Sequence, residues 1–120
     1  MKAQLQAVVN HVHRVGSLNE SQARSDRELL SQFASRRDTQ AFTAIVERHG
    51  SLVLGVCRRL LSHQDAEDAF QATFLVLAQK PDTVRKGESL SNWLHGVSYR
   101  IALKISRSYA RRKKREQRPR

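Results

Sequence analysis

The sequence has one cysteine, Cys57, two prolines and five glycines in 120 residues, and aromatic residues make up only 6% of it. A single thiol excludes an internal disulfide framework and fits a reducing compartment, where Cys57 is expected to pack as a small apolar side chain. With so few helix breakers, the plentiful Ala, Leu, Gln, Arg and Glu set local preference, which favours helix nearly everywhere between Asp26 and Arg115. No convincing strand alternation occurs. Apolar runs extend over only a few residues, far short of the ~20 that cross a bilayer, and the first residues lack the apolar core of a secretion signal. A soluble, cytoplasmic protein with no membrane partner is expected.

Acid is also scarce: 11 Asp and Glu stand against 22 Lys and Arg, for a formal net charge of +11. The excess is concentrated. Residues 99–120 hold ten Lys and Arg and one acid, Glu116, while residues 1–98 hold twelve bases and ten acids. A basic block beside a nearly balanced body points to a polyanion, most simply nucleic acid, met at one end of the fold. The plainer reading is a solvated tail that keeps the protein soluble.

The length allows one small domain plus tails. Residues 1–24 form a separate extension, in which Leu5, Val8, Val9, Val12 and Val15 recur at helical spacing before Gly16 and a polar linker. His11 and His13 lack the further ligands of a metal site, and neither metal nor cofactor is expected.

Four helices are expected in residues 25–116, giving an all-α compact bundle with a basic tail at 117–120. The first runs from Asp26 to about Arg36, capped by Ser25 or Asp26, with Leu29, Leu30 and Phe33 on one side. The second spans about Asp38 to Leu61 and is apolar at Phe42, Ile45, Val46, His49, Leu52, Val53, Val56, Cys57, Leu60 and Leu61. Gly50 and Gly55 weaken it and suit a bend or a close crossing. The third runs from about His63 to Gln79, with Ser62 and Asp65 at capping-box spacing, and ends at a loop marked by Pro81 and Gly87. Ser89 caps the fourth, Leu90 to about Arg115, whose core face reads Leu90, Leu94, Val97, Ile101 and Ile105.

The third helix opens DAEDAFQATF. Acids at Asp65, Glu67 and Asp68 complement the positive end of a helix, which explains part of the cluster without any function. At 100° per residue, Ala66, Phe70, Thr73, Phe74 and Leu77 make the buried stripe, and Asp68, Gln71, Ala72 and Leu75 lie opposite. An acid and an amide beside apolar residues suit a grip on another protein's helix better than a merely solvated face. A catalytic or metal-binding carboxylate pair has no partnering His or Cys to support it.

On the fourth helix Trp93, Arg100, Lys104, Arg107 and Arg111 fall at steps of seven, four, three and four residues and share one stripe. Such a row tracks phosphates, and an aromatic at its start can stack on an unpaired base; the alternative for Trp93 is a plain core residue. The preceding loop adds Arg85 and Lys86, with Gly87 for conformational freedom. No nucleophile–base pair, phosphate loop or metal-ligand spacing indicates an enzyme.

The order DRELLSQFASRRDTQAF, VCRRLLSHQDAEDAFQATFLVLA, ESLSNWLHGVSYRIAL and ARRKKRE resembles region 2 of bacterial extracytoplasmic-function sigma factors, over about Asp26 to Glu116. The resemblance implies a transcription-initiation factor without enzymatic activity. It would seat Asp68, Gln71 and Leu75, with Asp65 at the edge, on the clamp coiled coil of the largest subunit of core RNA polymerase. The loop from Thr83 through Arg85 and Lys86 to Ser89 would capture a flipped base of the promoter −10 element. Trp93, Arg100, Lys104, Arg107 and Arg111 would hold the melted strand, and an anti-sigma factor is a further partner that the resemblance allows. His95 and Gly96 follow the Trp-Leu pair where the family pattern differs, and Arg100 stands where asparagine is commonest. The family's second helical domain, region 4, which reads the −35 element, is not in the sequence. Two rivals follow: a competitor that occupies the polymerase clamp without supporting initiation, and a stand-alone helical DNA-binding regulator.

Overall fold

The computed structural model describes residues 24–85 and 87–117, and the readings made for residues 1–23, Lys86 and 118–120 lie outside them. Four α-helices follow one another: α1 (Asp26–Arg36), α2 (Thr39–Leu60), α3 (His63–Gln79) and α4 (Leu90–Glu116), with a short 3-10 turn, η1 (Pro81–Thr83), between the last two. The described residues are all-helical, as expected. None of these helices is long and apolar enough to cross a membrane.

The starts of the helices show why the chain turns where it does. Ser25 and Glu28 form a reciprocal capping box, in which the Ser25 hydroxyl accepts from the Glu28 amide and the Glu28 carboxylate accepts from the Ser25 amide. The backbone amide of Ser25, then its hydroxyl, hold the Glu28 carboxyl below its ordinary 4.5. Asp38 is the cap of α2 rather than its first residue, accepting from Gln40 and Ala41. Ser89 caps α4 by accepting from the Asn92 amide at 3.0 Å. The capping box expected at Ser62 and Asp65 does not form: Ser62 makes no side-chain cap bond, and Asp65 instead lines a cleft beside the turn.

The centre of the bundle is α2, which packs against each of the other three helices. All four phenylalanines of the sequence lie in one chain of rings: Phe33 on α1 meets Phe42 on α2 at 4.9 Å, Phe42 meets Phe74 on α3 edge-on at 6.4 Å, and Phe74 meets Phe70 at 5.1 Å. All four are buried, and taking each such side chain from water stabilises the fold by ~1.5–3 kcal/mol. The α3 stripe is buried as read, with Ala69 and Ala78 added. Cys57 is fully buried, and burial pushes its thiol up to about 11.

Two buried faces differ from the sequence reading. Leu52 is 39% exposed, because on α2 it lies to one side of the Val46–Val53 line that meets the neighbouring helices. On α4 the fully buried row is Leu90, Leu94, Ser98 and Ala102, one residue every fourth position, while Val97, Ile101 and Ile105 are only half-buried beside it. Small residues at 98 and 102 let that row sit against its neighbours. Gly50 faces the Phe70 ring, yet a methyl there would make an ordinary 3.7 Å contact, and Gly55 faces nothing within 4 Å. Neither glycine is required by the helix crossings.

Polar contacts close the bundle at two points. Asp26 on α1 accepts on one carboxylate oxygen from Arg48 at 2.8 Å and from His49 Nε2 at 2.9 Å, and His49 Nδ1 lies 3.3 Å from the Ser91 hydroxyl of α4. Burial works to raise the Asp26 carboxyl, but the hydrogen bonds and charges of His49 and Arg48 outweigh it and hold the group below its ordinary 3.8. At the other end Arg37, with φ 53°, takes the left-handed position after α1. Its guanidinium reaches the Ala78 carbonyl and lies 5.0 Å over the Phe33 ring.

Candidate functional site

Two surfaces carry the residues singled out in the sequence. The first is the outer side of α3, held in place by Phe70, Phe74 and Leu77 beneath it. Asp68 is exposed and accepts from Gln64 at 3.2 Å, one helical turn away. Gln71, Ala72 and Leu75 are half-buried, and Leu75 packs against the core rather than standing fully outward. Of the three acids, Glu67 is half-buried and lies 3.4 Å from the exposed His63, at i,i+4 spacing.

Asp65 sits apart from this face, lining a shallow cleft of about 270 Å³ with Leu60, Leu61, Ser62, Ser106 and Tyr109. The structure thus brings Asp68, Gln71 and Leu75 together and leaves Asp65 at the border. It also adds Val76, 36% exposed, which the sequence reading missed. The signal was its place one turn beyond Ala72, on the same side of the helix.

The second surface begins at the loop. Thr83 is exposed and spends its hydroxyl on the Lys80 carbonyl at 2.7 Å. The Arg85 amide donates to the Glu88 carboxylate at 3.2 Å, and the Glu88 amide returns to the Arg85 carbonyl at 2.9 Å. Gly87 has φ 87°, a conformation that glycine adopts without strain and that suits the third position of such a turn. The loop is thereby closed on itself beside the start of α4, with the Arg85 side chain left in solvent. Ser89, read as a loop contact, is occupied as the helix cap.

Along α4, Trp93 is half-buried and packs against the core, so its ring serves the bundle and also borders the surface. Arg100, Lys104, Arg107 and Arg111 are all exposed and make no ion pair among the described residues. From Arg100 to Arg111 the row extends ~16 Å along the helix axis. The Arg100 guanidinium lies back along Gly96, 3.3 Å from where a β-carbon would stand. A bulkier residue at 96 would have to push it aside.

Chemically, this is a row of uncompensated cations beside one aromatic ring, and on the neighbouring helix a mixed acidic, amide and apolar face. Such groups bind and orient; among the described residues no cluster of His, Cys, Asp or Glu could hold a metal ion.

Residues 45–116, more than half of the chain, match the family model for sigma-70 region 2. No curated protein and no solved structure matches significantly. The matched span takes in most of α2, the whole of α3 with its outer face, the loop, and α4 with its basic row. Region 2 serves sigma factors in promoter recognition and in binding RNA polymerase, and both surfaces described above lie on it. With its all-helical bundle and its matched segment in agreement, the chain belongs to the sigma-70 region 2 family.

Proposed function

We propose that the chain is the region 2 domain of a sigma factor of the extracytoplasmic-function type, joining core RNA polymerase to the −10 element of a promoter. The observation that supports this most is the separation of two unlike surfaces on adjacent helices: Asp68, Gln71 and Leu75 on α3, and Arg100, Lys104, Arg107 and Arg111 on α4. On this reading α3 seats on the clamp coiled coil of the polymerase's largest subunit, with Asp65 at the edge of the contact and Val76 extending its apolar part. Thr83, Arg85, Lys86 and Ser89 form the loop that takes a displaced base. Trp93 stacks at the start of the melted strand, and the cations follow its phosphates, which position the strand without encoding its sequence. The role is non-enzymatic.

The test is reconstitution with purified core polymerase. Co-elution of the full chain with the polymerase, together with open complexes that depend on the −10 sequence, supports the reading. Co-elution with lowered transcription would make the chain a competitor for the clamp. Sequence-selective binding to duplex DNA without polymerase would make it a stand-alone regulator.

A further inference from the structure

His49 occupies a position on α2 where an apolar side chain would do. It is only 6% exposed, on a stripe with Ile45, Val46, Val53 and Val56. Burying a polar ring there brings no obvious stability, since replacing a satisfied buried polar group by an apolar one of similar size is often neutral or stabilising. What the ring does supply is direction. Its Nε2 faces the Asp26 carboxylate, which only accepts, so Nε2 carries a proton; Nδ1 accepts from the Ser91 hydroxyl in the neutral ring and donates to it in the charged one, and the contact is made in either state.

One line of contacts therefore runs from the first turn of α1 through the middle of α2 to the first turn of α4. Among the described residues it includes the one side-chain hydrogen bond that ties α4 to another helix. The other contacts at this end of α4, Leu90 and Leu94 in the core and Trp93 against it, are apolar, and the hydrophobic effect behind them has no direction of its own.

Ser91 stands two residues before Trp93, so the two project from nearly opposite sides of the helix. A roll of α4 about its axis that breaks the Ser91 contact swings Trp93 with it. We infer that His49 is a positioning residue, which through Asp26 and Ser91 fixes the roll of the first turn of α4 and so the presentation of Trp93 to the melted strand. The link to the strand rests on the function proposed above; the link to Trp93 does not.

Trp93 is the only tryptophan, so its fluorescence reports this turn in the unlabelled full chain. The variants are His49→Leu, which leaves Asp26 paired with Arg48, and Ser91→Ala, which removes only the last contact. In both, acrylamide quenching of Trp93 is expected to rise by more than any fall in the thermal midpoint accounts for. With core polymerase, His49→Leu is expected to lower open-complex formation about fivefold, the shift that loss of one net hydrogen bond allows, with holoenzyme assembly unchanged. Unchanged Trp93 quenching in both variants, or quenching that follows only lost stability, overturns the inference. Should His49→Leu fail to fold, Ser91→Ala decides alone. Failure of the wild-type chain to bind polymerase would instead overturn the proposed function and leave the fluorescence result to judge the positioning.

Discussion

The Arg37 guanidinium donates to the Ala78 carbonyl at 2.6 Å, so a cation at the end of α1 satisfies a backbone oxygen at the end of α3. The last carbonyls of a helix lack intrahelical partners and carry the negative end of its dipole, which makes this a favourable place for a guanidinium. The same residue holds a left-handed backbone at φ 53°, which costs a non-glycine residue ~1–2 kcal/mol. Arg37→Ala is expected to destabilise the fold by ~1–2 kcal/mol through loss of the charged hydrogen bond. Arg37→Gly should cost less, because glycine relaxes the backbone. Urea titration of the two variants checks the order, and an Arg37→Gly variant that is the less stable of the two would remove this account.

The two surfaces should fail separately. A triple Asp68→Ala, Gln71→Ala, Leu75→Ala variant is expected to lose binding to core polymerase by tenfold or more, the ~1.4 kcal/mol that a small contact cluster supplies. Arg100→Ala with Lys104→Ala is expected to spare core binding and to weaken open-complex formation. Pull-down and a promoter-melting assay run side by side decide the point; equal loss in both assays for either variant would argue for one shared surface.

Salt offers a count of the phosphates engaged. Four cations on a single strand give a slope of about −3 for the logarithm of affinity against the logarithm of salt concentration. Removing one, as in Lys104→Ala, should reduce that slope by about 0.7 while leaving base preference unchanged. Fluorescence titration of −10 single strands at several salt concentrations measures both quantities.

Gly55 faces open space on α2, with nothing within 4 Å of where a methyl would go. Gly55→Ala is expected to stabilise the protein by ~0.5–1 kcal/mol by removing backbone freedom from the unfolded chain. A thermal melt that shows no gain would mean that the position is constrained by something other than packing.

Acid should act through Asp26, whose carboxyl is held below its ordinary 3.8 by His49 and Arg48. A depressed carboxyl contributes stability above its unfolded value and loses it as pH falls through the folded one. The stability difference between wild type and Asp26→Asn is therefore expected to be full near neutral pH and to close as pH drops below about 3.8. Melts across that range are the check, and a difference that stays constant into acid would exclude Asp26 as its source.

Much of this architecture was legible because it rests on strong local signals. Ser25 or Asp26 marks the start of α1, Pro81 closes α3, and the three-and-four spacing of Phe70, Thr73, Phe74 and Leu77 identifies the buried side of α3. The outward position of Asp68 followed from the same geometry. What stayed hidden lacks such a signal. Ser98 and Ala102 are buried because they are small, and neither counts as apolar enough to mark a core face. Arg37 takes a backbone position usually signalled by glycine, held there by a partner 41 residues away. His49 reads as one more member of an apolar stripe until Asp26 and Ser91 are seen on either side of it.

The aromatic chain begins on α1, outside the segment matched to the family: Phe33 precedes it, and Phe42 lies just before its first residue, 45. Cutting the chain at that border would remove two of the four rings and bare the side of Phe74 that faces Phe42. The segment matched to the family and the packed core therefore have different edges, and an expression boundary that keeps the core whole belongs before Ser25.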